Sequence, residues 1–318
     1  MTRRLVVAAL AALPFAVAAQ GAQKSVRIVV GFTPAGAADF VARGLAEHMG
    51  RGLGQSIIVD NRPGAGSSLA AEIVAKSPAD GLTLFVASPS SQMVNPAMRK
   101  VSYDPLKDFT PITLLTTAPL VVAVPPQSSI RSLKDLVAEA KKNPGNLNYA
   151  SAGPGSAPHL AGAAFVRAAG IDMIHVPFKG GAPAIQSVMA GDTQLTFGTP
   201  PTVLPQANGG RLRAIAVTSR KRSPAVPSLP GTEEAGLPNY EMTFWYGLYA
   251  PAGLTADLVQ KYFKAATVAM AQPELKQLLA REGMDATVSR SPEEFAAFQT
   301  REMAFWARIV RDTGAKME

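Results

Sequence analysis

Ser156 and His159 stand three residues apart in Ala152-Gly153-Pro154-Gly155-Ser156-Ala157-Pro158-His159. That spacing puts both on one helical face and raises the chemistry of a hydroxyl activated by an imidazole. His48 and His175 are the only other histidines, and no acidic residue close in sequence orients His159. The segment lacks the Gly-x-Ser-x-Gly of a nucleophile elbow. No Lys-Ser/Thr pair closes it as a phosphate loop, and Pro158 stands where a dinucleotide fingerprint has its third glycine. An exported Ser156/His159 hydrolase is one reading. The other is hydrogen bonding alone: a small-residue loop opening a helix whose first N–H groups lack internal partners and whose dipole adds about half a positive charge, a place where anions bind.

The opening of the chain has the same form. Val26 to Val30 is an apolar β-branched run, followed by a loop of small residues. A helical stripe of Val41, Leu45 and Met49 then runs to Gly50. Gly36 would let a ligand approach the backbone. Asp39, in or near the first turn, is either a helix-starting carboxylate or a partner for a ligand polar group. A third loop, Ser88-Pro89-Ser90-Ser91-Gln92, follows the strand Leu82 to Ala87 and is polar and uncharged. In an open parallel sheet such loops line the ligand crevice.

The elements that must carry these loops alternate. Ser56 to Val59 is a strand, Leu69, Ile73 and Val74 mark a helix, and Leu82 to Ala87 is the next strand. This β-α-β-α-β order predicts a parallel sheet with right-handed crossovers. Pro111 to Leu115 and Leu120 to Val124 read as strands closed by Pro125-Pro126, where a second unit begins. Its first helix has Ser132 as N-cap and a stripe of Leu133, Leu136, Val137 and Ala140. Strands follow at Leu147 to Ser151, Met173 to Pro177, Gln194 to Gly198 and Leu212 to Val217. Phe244 to Ala250 is a strand expected to return to the first unit. The C-terminal region is helical, with Ser291-Pro292-Glu293-Glu294 as a capping box and Phe295, Phe298, Phe305, Trp306 and Ile309 as core.

The 318 residues are 47% hydrophobic and 17% charged, enough for a sizeable core and against bulk disorder. Arg3-Arg4, the apolar segment Leu5 to Val17 and the small residues after it form a signal peptide, 1–22, with cleavage after Ala18, Ala19 or Ala22. No cysteine follows, which excludes a lipoprotein-type anchor, so the mature chain is expected to be exported and soluble. Removing Arg3 and Arg4 takes the net charge from +8 to +6. The densest basic run, Arg220-Lys221-Arg222, lies in a Pro-rich loop without interleaved aromatics, which argues against nucleic acid.

Segments along the whole mature chain carry a resemblance: VVGFTPAGAADFVAR, VDNRPGAGSS, PADGLTLF, YDPLKDFTPI, NPGNLNYASAGPGSAPHL, IHVPFKGGAPAI, GGRLRAIAVTS and LPGTEEAGLPNYEMTFWYGLYAPAG. In this order the chain resembles the Bug-type substrate-binding receptors of tripartite tricarboxylate transporters. The resemblance implies a periplasmic, monomeric, non-catalytic receptor with no cofactor or metal, which delivers an organic acid to membrane transporter subunits. Service to a membrane signalling protein is a further alternative. It implies a two-lobed Venus-flytrap α/β fold, each lobe a mostly parallel sheet flanked by helices: lobe one from 23–122 and 244–318, lobe two from 123–243. One carboxylate would be gripped by two Gly-rich loops, carried over as Phe32, Thr33, Pro34, Ala35, Gly36, Ala37 and Asp39, and as Ser151, Gly155, Ser156 and His159. Ser88, Ser90, Lys179, Gly180 and Thr199 are carried over beside them. The chain departs from the family pattern at Ala35, Ala152 and Phe178, where Gly, Ser and Tyr are usual, and at Gly198-Thr199, where an acidic residue often follows the strand.

Overall fold

A computed structural model describes residues 24–315; the expected signal peptide lies outside the described residues. Among the described residues, eleven strands and ten α-helices follow one another, for the most part in alternation. The first sheet is built on β1 (Val26–Val30), β2 (Ile57–Asn61) and β3 (Thr83–Ala87), with α1 (Ala37–Leu53) and α2 (Ser68–Ala75) between them. β1 lies between β2 and β3 and is parallel to both. A π-helical turn, Ser90–Val94, leads through the short α3 (Asn95–Met98) to β4 (Phe109–Pro119).

The chain then enters the second sheet with β5 (Val121–Val124). α4 (Leu133–Lys142), β6 (Asn148–Ser151), α5 (Ala157–Ala169), β7 (Ile174–Pro177), α6 (Gly181–Ala190), β8 (Leu195–Gly198), α7 (Pro200–Asn208) and β9 (Arg213–Val217) complete that lobe. β10 (Thr243–Pro251) returns to the first sheet and is followed by α8 (Ala256–Ala271), α9 (Pro273–Arg281), β11 (Asp285–Ala286) and α10 (Pro292–Thr313). The strand orders are β11-β4-β10-β3-β1-β2 and β7-β6-β8-β5-β9.

Two lobes were expected and two are found, but both sheets are mixed. β10 runs antiparallel to β3 and β4, and β5 antiparallel to β8 and β9. These are the strands that join the lobes, and apolar periodicity carries no information about strand direction. β5 lies wholly in the second sheet, so the passage between sheets falls at Leu120, just before the expected division at 122/123.

Local signals account for the helix starts. Ser132, Ser156 and Ser291 each accept the N–H of the residue three further on, which satisfies one of the open donors. In α10, Phe295 and Trp306 are buried while Phe298, Phe305 and Ile309 are half-buried against the core. The indoles of Trp245 and Trp306 both donate to Glu302, at 2.9 and 3.0 Å, tying α10 to β10. α10 also packs on α5, so the C-terminal helix bears on both lobes.

Candidate functional site

Between the lobes lies a cleft lined by residues of both, partly open to solvent, the kind of concave site where small ligands bind. Four helix starts reach it: Gly36 and Ala37 of α1 from lobe one, and Ser156 and Ala157 of α5, Gly181 of α6 and Thr199 of α7 from lobe two. α1 and α6 have glycines, Gly36 and Gly180, at the N-cap, so no side chain occupies their first amides. Among the described residues, the N–H groups of Ala37, Ala38, Ala157 and Gly181 have no acceptor. Ser88 Oγ is buried in the cavity wall and likewise without a partner. A buried hydroxyl and a set of amides left open on an enclosed space mark a place for an acceptor-rich guest. No Lys, Arg, His, Asp or Glu lines the cavity. Among the described residues, no group of three His, Cys, Asp or Glu could hold a metal ion.

Of the residues expected at the site, Phe32, Gly36, Ala37, Ser88, Ser90, Ser156 and Thr199 line this cavity. The others do not. Thr33 and Lys179 line an adjoining cleft, where Gly180 of lobe two comes against Thr33 of lobe one. Pro34 is exposed on the loop.

Asp39 faces away from the cavity. Its Oδ2 accepts the Ala35 N–H at 3.0 Å and Arg43 Nε at 2.9 Å. Burial alone would raise its pKa, but the bonds from Arg43, Ala35 and Asn61 outweigh it and hold the carboxyl below its ordinary value. Asp39 therefore organises the loop and holds Ala35 at φ 62°, a left-handed conformation that disfavours a Cβ.

The second loop is organised in a similar way. Ser156 Oγ caps α5 by accepting the His159 N–H at 3.3 Å. His159 Nδ1 accepts the Gly155 N–H at 3.1 Å, which leaves the ring proton on Nε2. The His159 ring stacks on His175 with centroids 3.9 Å apart, and His175 Nε2 lies 2.6 Å from Ser151 Oγ. Burial, joined by the neighbouring imidazole, pushes His159 down to about 3, and burial pushes His175 down to about 4. Both rings are neutral supports. Gly155, at φ 71°, is there for its backbone conformation rather than to admit a ligand. Ser156 and His159 meet through a backbone N–H, so the side-chain pair that a nucleophile needs is not formed.

Ala38, Pro158, Ala184, Ile185, Thr196, Thr202, Phe244 and Tyr246, not among the expected residues, complete the lining with Ala152, Ala157, Gly181 and Gly198. The aromatic cluster in Phe244-Trp245-Tyr246 was a signal, since β10 joins the lobes beside the cavity.

Two mixed α/β lobes around a cavity of helix starts are the architecture of periplasmic binding proteins. The pattern of the tripartite tricarboxylate transporter family receptor matches residues 41–315, and the chain belongs to that family. It is 31% identical to protein BugT of Bordetella pertussis over 297 residues, 93% of this chain and 91% of that one. Among solved structures, it is similar to Rpa4515 of R. palustris with adipate, at TM-score 0.88 and 31% identity, covering 92% of this chain and 98% of the other. It is also similar to MatC of Rhodopseudomonas palustris with bound malate, at TM-score 0.85 and 32% identity, covering 90% and 98%.

Proposed function

We propose that this chain is a non-catalytic periplasmic receptor that holds a small organic acid between its lobes and delivers it to integral membrane transporter subunits. The observation that carries the reading is the set of open amides from α1, α5 and α6 around the unpartnered Ser88 hydroxyl, in a cavity without a charged side chain. A carboxylate supplies acceptors to all of them. Each helix start contributes up to ~2 kcal/mol in a partly buried setting, and each hydrogen bond to a charged group roughly 1.5–3 kcal/mol. No cation is then required. The bound adipate and malate of the two R. palustris proteins support the same ligand chemistry. Contacts made to both lobes at once give the ligand differential affinity for the closed arrangement.

A thermal-shift panel of mono-, di- and tricarboxylates tests binding: a specific ligand at 100 times its Kd adds about 2.7 kcal/mol of stability. Absence of any shift across the panel would contradict the reading. Ester turnover lost in Ser156→Ala would instead establish the hydrolase. Uptake of the identified acid by cells with and without this receptor tests delivery.

A further inference from the structure

The cavity walls differ in what they offer a guest. α7 opens with Pro200 and Pro201, which have no N–H, and the N–H groups of Thr202 and Val203 turn back to the Thr199 carbonyl at 3.0 and 3.1 Å. Apart from the N–H of Thr199 itself, this helix start presents no amide donor to the cavity. Its hydroxyls are engaged as well: Thr202 Oγ1 donates to the Thr199 carbonyl at 2.8 Å and lies 3.1 Å from Thr199 Oγ1. Thr196 Oγ1 donates to the Ala150 carbonyl at 3.0 Å, which leaves its methyl for the cavity. Ile185 lies over Gly198, its Cδ1 3.3 Å from where a Cβ there would stand. Phe244 and Tyr246 add aromatic surface. The cation of Lys179 is exposed in the adjoining cleft.

We propose that the ligand is a monocarboxylate with an apolar body: its one anionic group on the amides of α1, α5 and α6, its hydrocarbon or aromatic remainder against Ile185, Thr196 and Phe244. The inference rests on the reading that this cavity holds a carboxylate. A second ionised carboxylate would be buried against methyl groups and prolines, with no cation and only the N–H of Thr199 on that wall to offset its desolvation. An apolar body gains from the same wall by leaving water.

Calorimetry on the mature chain with matched pairs, hexanoate against adipate and benzoate against terephthalate, isolates the second charge at constant skeleton. The expected result is a monoacid binding at least about tenfold tighter than its diacid partner. Thr196→Ser keeps the hydroxyl and deletes one methyl, and is expected to weaken the monoacid by about three- to fourfold. Diacids or tricarboxylates binding as tightly or more tightly would overturn the inference and leave the carboxylate reading intact. Failure of every acid to bind would overturn both.

Discussion

Gly180 and Thr33 meet across the cleft with no space for a side chain: a Cβ on Gly180 would stand 2.4 Å from Thr33 Oγ1. A similar approach holds Gly66 of lobe one against the Pro154 carbonyl of lobe two, 2.6 Å from where its Cβ would be. The lobes close onto each other through glycines. Gly180→Ala is expected to lower ligand affinity by about tenfold or more by holding the lobes apart, and to cost about 1–3 kcal/mol of stability because φ is 132° there. Adding Thr33→Ala should recover part of the affinity and none of the backbone strain. A double-mutant cycle by calorimetry reads the coupling, and strictly additive effects would deny the contact.

Ser88→Ala separates stability from binding. The Ser88 hydroxyl is buried and unpartnered, so its removal should leave the unliganded protein as stable or more so. Ligand affinity should fall by roughly 1.5–3 kcal/mol if the hydroxyl donates to a carboxylate. Chemical denaturation and calorimetry of the same variant check the two opposite signs.

Asp39→Ala breaks the bonds to Ala35 and Arg43 and should cost about 1.5–3 kcal/mol of stability. Asp39 does not line the cavity, so any loss of affinity should be the same for an acid as for its uncharged analogue. Its depressed pKa means that its contribution is complete above 3.8, the ordinary value, and is lost as pH falls through the lower folded value. A melting-temperature profile of Asp39→Ala that parallels the parent's as pH falls below 3.8 would rule this out.

His159 and His175 give a second pH dependence at higher pH. Both are held neutral in the fold, to about 3 and about 4, while the unfolded chain takes up protons near 6.5. The unfolded state therefore binds more protons between these values, and stability falls as pH drops below 6.5 towards about 4. His175→Gln should flatten this part of the melting-temperature profile. An unchanged profile would mean that the stacked pair does not titrate on unfolding.

Much of this fold was legible in the sequence because strands, small-residue loops and amphipathic helices each carry a local pattern. Ser132 and Ser291 announced the helices they cap, whereas the cap at Ser156 shows only in the structure. Strand direction was not legible, which is why mixed sheets replaced mostly parallel ones. The site was legible as loops and only partly as side chains. Gly36, Ser88 and Thr199 sit at element ends and reach the cavity, whereas Ile185, Thr196 and Phe244 reach it from within elements. Their inward facing depends on how the lobes pack. The structural role of Asp39 was legible too: Arg43 stands four residues on, the spacing of a helical ion pair. His159 supports its loop instead of reaching the cavity, and the partner of its Nδ1, the Gly155 amide, exists only once the loop has turned.

The central claim is that a carboxylate is held by backbone amides and a hydroxyl, without a cation. Its most direct test is a calorimetric titration with the tightest acid of the carboxylate panel and with that acid's primary amide, which keeps the shape and removes the charge. The account predicts that the amide binds weaker by about 10²-fold or more, the loss of charge assistance at several donors at once. An amide that binds as tightly as the acid would contradict it.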